Sequence, residues 1–132
     1  MPLNVQLRDG VIEATFHGKV TRVDLSELTK AFQDIESRLA VTPDRIADLS
    51  DASLSDLQSS EVVHLAEARR EVNLKNKVKT AIIAPSPEVF GLARMFSTYN
   101  RNPAITISVF KDSASAYKWI GCEPGPVKKL HA

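Results

Sequence analysis

Three aspartates surround the end of one apolar run, where carboxylates could accept a phosphoryl group or hold a metal ion weakly. Asp48 lies in the run at 45–49, and Asp51 and Asp56 follow it in a serine-rich segment. In open α/β sheets, loops after the carboxyl ends of parallel strands present binding sites. Lys111, after the last apolar run, would be the basic partner in an Asp-based phosphorelay or small enzyme. Aspartates in such places also cap turns and helices, and we expect this ordinary role here.

Serines in the same segment are candidates for phosphorylation. Ser55 and Ser59 lie where a helix is expected to begin, and the positive end of a helix dipole stabilises an added phosphate. A phosphate there would place a doubly charged group on a docking surface and switch its affinity for a partner. Ser55 followed by Gln58 also fits a capping box, so Ser59 is the better candidate for modification.

The segment after residue 84 could bind an anion or an apolar ligand. Ser86 suits the N-cap of a helix, and Arg94 could reach an anion held at that N-terminus, because guanidinium groups pair well with carboxylates and phosphates. A surface arginine paired with Glu88 is an equally good interpretation. The helix also has more apolar surface than one core face consumes, which could form a dimer contact or line a ligand pocket. The apolar residues concerned are Phe90, Met95 and Tyr99.

Other kinds of site lack the residues that they need. The 3 histidines do not form a ligand set, the 5 glycines do not form a phosphate-binding loop, and Cys122 is the only cysteine. The 17 basic and 16 acidic residues give a net charge of +1, which supplies no basic face for nucleic acid. No run approaches the roughly 20 apolar residues that cross a bilayer, and no signal peptide is visible. We therefore expect no catalytic residues, no metal, no cofactor, no nucleic acid, no membrane insertion and a cytoplasmic location.

The first half of the chain predicts a hairpin and an amphipathic helix. Two β-like runs, at 4–8 and 11–17, flank Asp9-Gly10, a pair that favours a type I′ turn. The second run is apolar on one face only, with Glu13 on the other. Helical spacing of apolar residues follows at 25–39, behind a predicted capping box. The capping box is formed by Asp24 and Glu27, and Glu36 is assigned to the polar side of the helix.

The remaining segments continue the alternation of strands and helices. They are a buried strand at 45–49, a loop at 50–60, a helix to about residue 73 with Arg69 facing outward, strands at 78–84 and 105–110, a helix capped by Ser86, and a short helix between Asp112 and Gly121. The order β-β-α-β-α-β-α-β-α calls for an α/β fold with a mixed, mostly parallel sheet of about five strands and about four helices. We predict a single domain at 1–121 and a tail at 122–132.

Several segments, taken in this order, resemble a known family. They are the opening hairpin, Ala47–Ser50, Ala81–Arg94, Val109–Asp112 and Trp119–Gly121. Ala81–Arg94 contains the motifs Pro-Ser-Pro-Glu and Gly-Leu-Ala-Arg. Over residues 4–121 they look like the SpoIIAA-like proteins, relatives of the STAS domain of anti-sigma factor antagonists and anion-transporter tails. The resemblance implies a SpoIIAA-like fold.

The resemblance also implies a regulatory role. In the antagonists, a serine at the start of the second helix, within Asp-Ser-Ser-Gly, is phosphorylated by a partner kinase that is also the anti-sigma factor. The stretch here is Ser55–Glu61, which has no glycine after its serines. If Asp56 is aligned with the aspartate of that motif, Leu57 occupies the phosphoserine position. If the second helices are aligned instead, Ser59 occupies it. The SpoIIAA-like branch is also likened to lipid-carrying Sec14-type domains.

We therefore expect a regulatory protein–protein interaction module whose docking surface includes the loop Ser50–Ser60. Its partner would be a protein such as an anti-sigma factor or kinase, and unused apolar surface makes a homodimer plausible. One alternative is a carrier or sensor of a small apolar or anionic ligand, which a deep apolar pocket between the helices would favour. The other is an Asp-based phosphorelay or small enzyme, which clustered carboxylates with a perturbed pKa would favour.

Overall fold

Strands and helices alternate in the order that the sequence predicts. The structure is a computed structural model that describes residues 3–70 and 74–122. Its elements are β1 Leu3–Arg8, β2 Val11–Lys19, α1 Arg22–Arg38, β3 Asp44–Ser53, α2 Ser59–Arg70, β4 Val78–Ile83, α3 Pro87–Tyr99, β5 Ile105–Phe110 and α4 Ser113–Ile120. The predicted fold class is confirmed. The tail at 123–132 and the predicted end of the second helix at 71–73 lie outside the described residues.

The strands form one mixed sheet in the order β1-β2-β3-β4-β5. β1 runs antiparallel to β2, and β2, β3, β4 and β5 are parallel to one another. Asp9 and Gly10 join β1 to β2 with φ angles of 51° and 76°, which are the positive values that a type I′ turn needs. The Asp-Gly pair therefore accounts for the antiparallel edge of an otherwise parallel sheet.

The two faces of the sheet are covered unequally. α1, α2 and α3 connect neighbouring parallel strands in one direction across the sheet, so right-handed crossovers place them on the same face. Phe32 of α1 and Val89 of α3 pack there against Ile12. α4 covers the opposite face, where Tyr117 packs near Val11. Residues 11–14 of β2 are all buried, because both faces of this strand are covered.

Two helix starts differ from the sequence prediction. α1 begins one turn earlier, because Thr21 is its N-cap and forms the capping box with Asp24, whose side chain accepts a hydrogen bond from the Thr21 N–H at 2.8 Å. α2 begins at Ser59, and the Glu61 side chain accepts from the Gln58 N–H at 2.9 Å. Residues 50–53, predicted as loop, continue β3, because residues 51–53 pair with β2 after a bulge that follows Asp48.

The other predicted caps are confirmed. Ser86 caps α3 by accepting a hydrogen bond from the Val89 N–H, with Pro87 at the first helical position. Asp112 caps α4 by accepting from the Ser115 N–H, and this bond lowers the pKa of Asp112 below its usual value. Gly121 ends α4 with φ 86°, in the left-handed region.

Candidate functional site

An apolar cavity lies between the sheet and the three helices that cover one of its faces, α1, α2 and α3. Its volume is about 120 Å³. Phe16 and Ile82 contribute to its wall from the sheet, as do residues of α1, α2 and α3. In the described wall, Thr80 alone carries a polar side-chain atom. The helical residues that matter most below are Leu28, Phe32, Val62, Leu92, Ala93 and Phe96.

Small side chains leave this space unfilled. Ala47 of β3 and Ala93 of α3 both line the cavity. Protein interiors are close-packed, and voids larger than a water molecule are few. The space is half open to solvent, so its apolar wall is surface that a bound ligand would remove from water. An engineered apolar cavity of about 150 Å³ stays dry and binds benzene, so a space of this size suits a ligand near the size of one small ring.

A cluster of three buried charges adjoins the Phe32 end of the cavity. Glu36 Oε2 accepts hydrogen bonds from Arg45 Nη2 at 2.7 Å and from Arg69 Nη2 at 3.1 Å. The guanidinium carbons of Arg45 and Arg69 lie 5.1 and 5.6 Å from the centroid of the Phe32 ring. Burial lowers the pKa of Arg45, an effect that Glu36 opposes and Arg69 reinforces. Among the described side chains, the two buried cations outnumber the one buried anion, and the half-buried Asp44 also favours the charged form of Arg45.

The sequence prediction placed Glu36 and Arg69 on outward helix faces, and both placements are wrong. They lie in the last turns of α1 and α2, and Glu36 pairs with both Arg69 and Arg45, which brings these helix ends together over the start of β3. Arg45 carried the signal that could have revealed the cluster. A charge inside a strand expected to be buried requires a partner of opposite sign, and such a partner must come from the elements packed above it.

A second buried carboxylate lies on the face that α4 covers. Glu13 accepts hydrogen bonds from the Tyr117 hydroxyl at 2.6 Å, from Arg8 Nε at 2.8 Å and from Gln6 Nε2 at 3.0 Å. Burial acts to raise the pKa of Glu13, but these bonds outweigh it and hold that pKa below its usual value. Burial and the bond to Glu13 raise the pKa of Tyr117. The network ties α4 to β1 and β2, so we assign it a structural role.

The predicted aspartates have different surroundings. Asp48 is buried, and its Oδ1 accepts a hydrogen bond from the Ser50 N–H at 2.9 Å. Asp51 is exposed, with Oδ2 3.7 Å from Nδ1 of His17, and Asp56 is exposed as well. Within 3–70 and 74–122, no group of three or more His, Cys, Asp or Glu side chains is arranged to hold a metal ion.

Lys111, considered above as the basic partner of these aspartates, lies against an aromatic ring. Its Nζ is 5.3 Å from the centroid of the Phe90 ring. This distance is typical of a cation–π contact.

The predicted serines are accessible at the start of the second helix. Ser55 and Ser59 are both exposed. The Ser55 hydroxyl lies 3.0 Å from the Ser53 hydroxyl, and Ser59 is the first residue of α2. Leu54 and Leu57, in the same segment, line the cavity. The segment that carries the candidate phosphorylation sites is therefore also part of the cavity wall.

None of the predicted residues of the third helix is among those that line the described cavity. Ser86 acts as the N-cap of α3, and Arg94 is exposed. Phe90 packs against the core, Met95 is half-buried and Tyr99 is exposed. The described part of the cavity wall takes its α3 contribution from other positions of the helix, namely Leu92, Ala93 and Phe96.

None of the helices among the described residues has the length and apolar character that crossing a bilayer requires. No family model and no curated protein matches the chain. A solved structure does resemble it, that of an uncharacterized protein from the DUF3478 family with a SpoIIAA-like fold, from Shewanella loihica PV-4. The match has a TM-score of 0.53 and 17% sequence identity, and it covers 89% of this chain and 91% of that chain. At this identity the likeness concerns the fold, and the chain has a SpoIIAA-like fold.

Proposed function

We propose that this protein binds a small apolar ligand between its sheet and helices α1, α2 and α3, as a carrier or sensor of that ligand. The single observation that supports this function is the apolar cavity of about 120 Å³. Ligand sites in proteins are concave and mostly apolar, with few polar groups. A packing role explains the cavity poorly, because a larger side chain at Ala47 or Ala93 would fill it.

Titration with toluene tests this function directly. Toluene has a ring that suits the volume and no polar group, so binding would report the apolar cavity alone. We expect chemical-shift changes in methyl NMR spectra at Leu28, Val62 and Leu92, which line the cavity, and saturation at millimolar toluene. The variant Ala93→Leu fills the space and should abolish these changes. The matched control Ala114→Leu adds the same atoms on the exposed side of α4 and should leave them intact.

Absence of saturable shifts at the three cavity residues, in a folded protein, would contradict the proposed function. Native mass spectrometry of gently purified protein adds an independent test. A co-purifying small-molecule mass that Ala93→Leu removes supports the function, whereas a mass retained by that variant places the bound molecule elsewhere.

A regulatory protein-interaction module is the second candidate. The observation that favours it is the shared position of Leu54 and Leu57 in the cavity wall and of exposed Ser55 and Ser59 in the same segment. A ligand in the cavity would touch the segment that a partner protein or kinase would read, so a sensor and a docking module are compatible roles. Phosphate on Ser59 in protein from its native cells supports this candidate. Unmodified Ser59 under all growth conditions counts against phosphorylation as its switch.

A further inference from the structure

We infer, on the basis of the proposed function, that the ligand is a small monocarboxylate whose apolar body fills the cavity and whose carboxylate binds Arg45 and Arg69. The side chains of Arg45 and Arg69 are 2% and 7% exposed. Each already donates one hydrogen bond to Glu36, but Arg45 Nε and Arg69 Nη1 find no acceptor among the described residues. Buried donors of this kind are rare, and an unoccupied ligand position is one reason for them.

The charge cluster and the cavity share a wall. Phe32 lines the cavity, and both guanidinium groups lie over its ring. Arg45 also pairs in register with Thr80, the polar member of the described cavity wall. Arg45 and Arg69 are not among the residues that line the described cavity, so the carboxylate of a ligand at this end must reach them past the Phe32 ring.

The charge balance selects an anion with a single charge. Among the fully buried, described side chains of the cluster, Arg45 and Arg69 exceed Glu36 by one positive charge, while the half-buried Asp44 also favours the charged form of Arg45. A buried net charge is costly unless it is paired. One carboxylate would neutralise the cluster and could accept from both free donors, because guanidinium groups match carboxylate geometry. A dianion would give the buried cluster a net negative charge instead of neutralising it. The apolar wall accounts for the rest of the ligand, which is a short hydrocarbon chain or one ring.

The test compares benzoate with nitrobenzene, a neutral molecule of nearly the same shape, by calorimetric titration of the whole chain. We expect benzoate to bind at least roughly tenfold more tightly than nitrobenzene, because charge-assisted hydrogen bonds to a buried cation contribute more than neutral ones. Acetate, which has the charge without the ring, should bind at least roughly tenfold more weakly than benzoate, since it leaves the apolar cavity unfilled. This comparison uses the natural protein, so it does not depend on any variant folding.

The variant Arg69→Met tests the assignment to residues. It leaves Arg45 and Glu36 as a neutral pair, and its long apolar side chain suits the buried position, so the variant should fold. We expect it to bind benzoate and nitrobenzene equally. The matched control Arg94→Met removes an exposed arginine outside the cavity wall and should keep the preference for benzoate.

The outcomes separate this inference from the proposed function. Equal binding of benzoate and nitrobenzene by the natural protein overturns the carboxylate assignment and leaves an apolar-ligand site. Acetate binding as tightly as benzoate overturns the combined ligand, because the affinity would then come from the cations alone. A preference for benzoate that survives Arg69→Met overturns the role of this arginine. Failure of benzoate, nitrobenzene and toluene alike overturns the proposed function itself.

Discussion

The two faces of the sheet bury a carboxylate in opposite ways. On the face that α4 covers, Glu13 accepts from Arg8, Gln6 and Tyr117. The cation of this network, Arg8, pairs with Glu13 and with the exposed Asp9. On the face that α1, α2 and α3 cover, Glu36 is shared by Arg45 and Arg69, so cations are in excess beside an apolar cavity.

This difference separates a region that holds the fold together from a region that is suited to binding. A satisfied buried network fixes one arrangement of its elements, whereas leftover charge and unfilled space raise the free energy of the empty protein. Binding of a complementary ligand would recover that free energy. The following experiments break or sharpen this contrast, beginning with the largest expected effect.

Glu13→Ala should disrupt the hydrogen-bond network that Glu13 forms with Arg8, Gln6 and Tyr117, and it should destabilise the fold most. It removes the Glu13 acceptor from the buried Tyr117 hydroxyl and from the Arg8 guanidinium, which keeps its pair with Asp9. Removing one partner of such a network costs about 3 kcal/mol. Urea denaturation should show this loss in the free energy of unfolding. Glu27→Ala, at an exposed position of α1, is the control and should stay within about 0.5 kcal/mol of the natural protein. A loss below about 1 kcal/mol for Glu13→Ala would mean that the network adds little to stability.

Leucine substitutions on the two faces should change stability in opposite directions. Ala116→Leu overpacks the fully buried contact of α4 and should cost about 2 kcal/mol. Ala93→Leu fills the cavity and should raise the free energy of unfolding by about 1 kcal/mol. Thermal and urea unfolding measure both. If Ala93→Leu destabilises as much as Ala116→Leu, the face that α1, α2 and α3 cover is as tightly packed as the face that α4 covers. The cavity would then offer no space for a ligand.

Acid should weaken the hydrogen-bond network of Glu13. Because the pKa of folded Glu13 is below its ordinary value of 4.5, the unfolded chain binds more protons in the interval between the two values. The free energy of unfolding therefore rises with pH through that interval, and the contribution of Glu13 is complete above 4.5 and lost as pH falls through the folded pKa. Urea denaturation between pH 3 and 6 measures this slope. Glu13→Gln should flatten it, and an unchanged slope in that variant would assign the acid sensitivity to other carboxylates.

A negative charge at Ser59 should have the smallest effect. Ser59→Glu places a carboxylate in the first turn of α2, where the helix dipole stabilises it by about 0.5 kcal/mol. Ser59→Gln has the same size without the charge and serves as the control. A small rise in thermal stability for Glu over Gln, reduced by salt, would show that α2 tolerates an added phosphate. A loss of stability would argue against phosphorylation at this serine.

The sequence predicted the third helix as an apolar wall but not the residues that form it. Phe90, Met95 and Tyr99 were the predicted ligand contacts, whereas Leu92, Ala93 and Phe96 line the cavity in the described structure. Large aromatic side chains attract attention in a sequence. A cavity, however, forms where side chains are too small to fill the space, and the sequence of one helix does not show how much space its neighbours leave.

What the sequence by itself determined is the order and nature of the elements. Asp9-Gly10 specified the hairpin turn, and Ser86, Asp112 and Gly121 specified helix ends, because each acts on backbone within a few residues of itself. Only the tertiary structure decided which charged side chains are buried. Periodicity reports the apolar face of one element, but whether its polar face is also covered depends on elements far away in the chain. Glu36 and Arg69, 33 residues apart, became partners because the ends of α1 and α2 meet over Arg45.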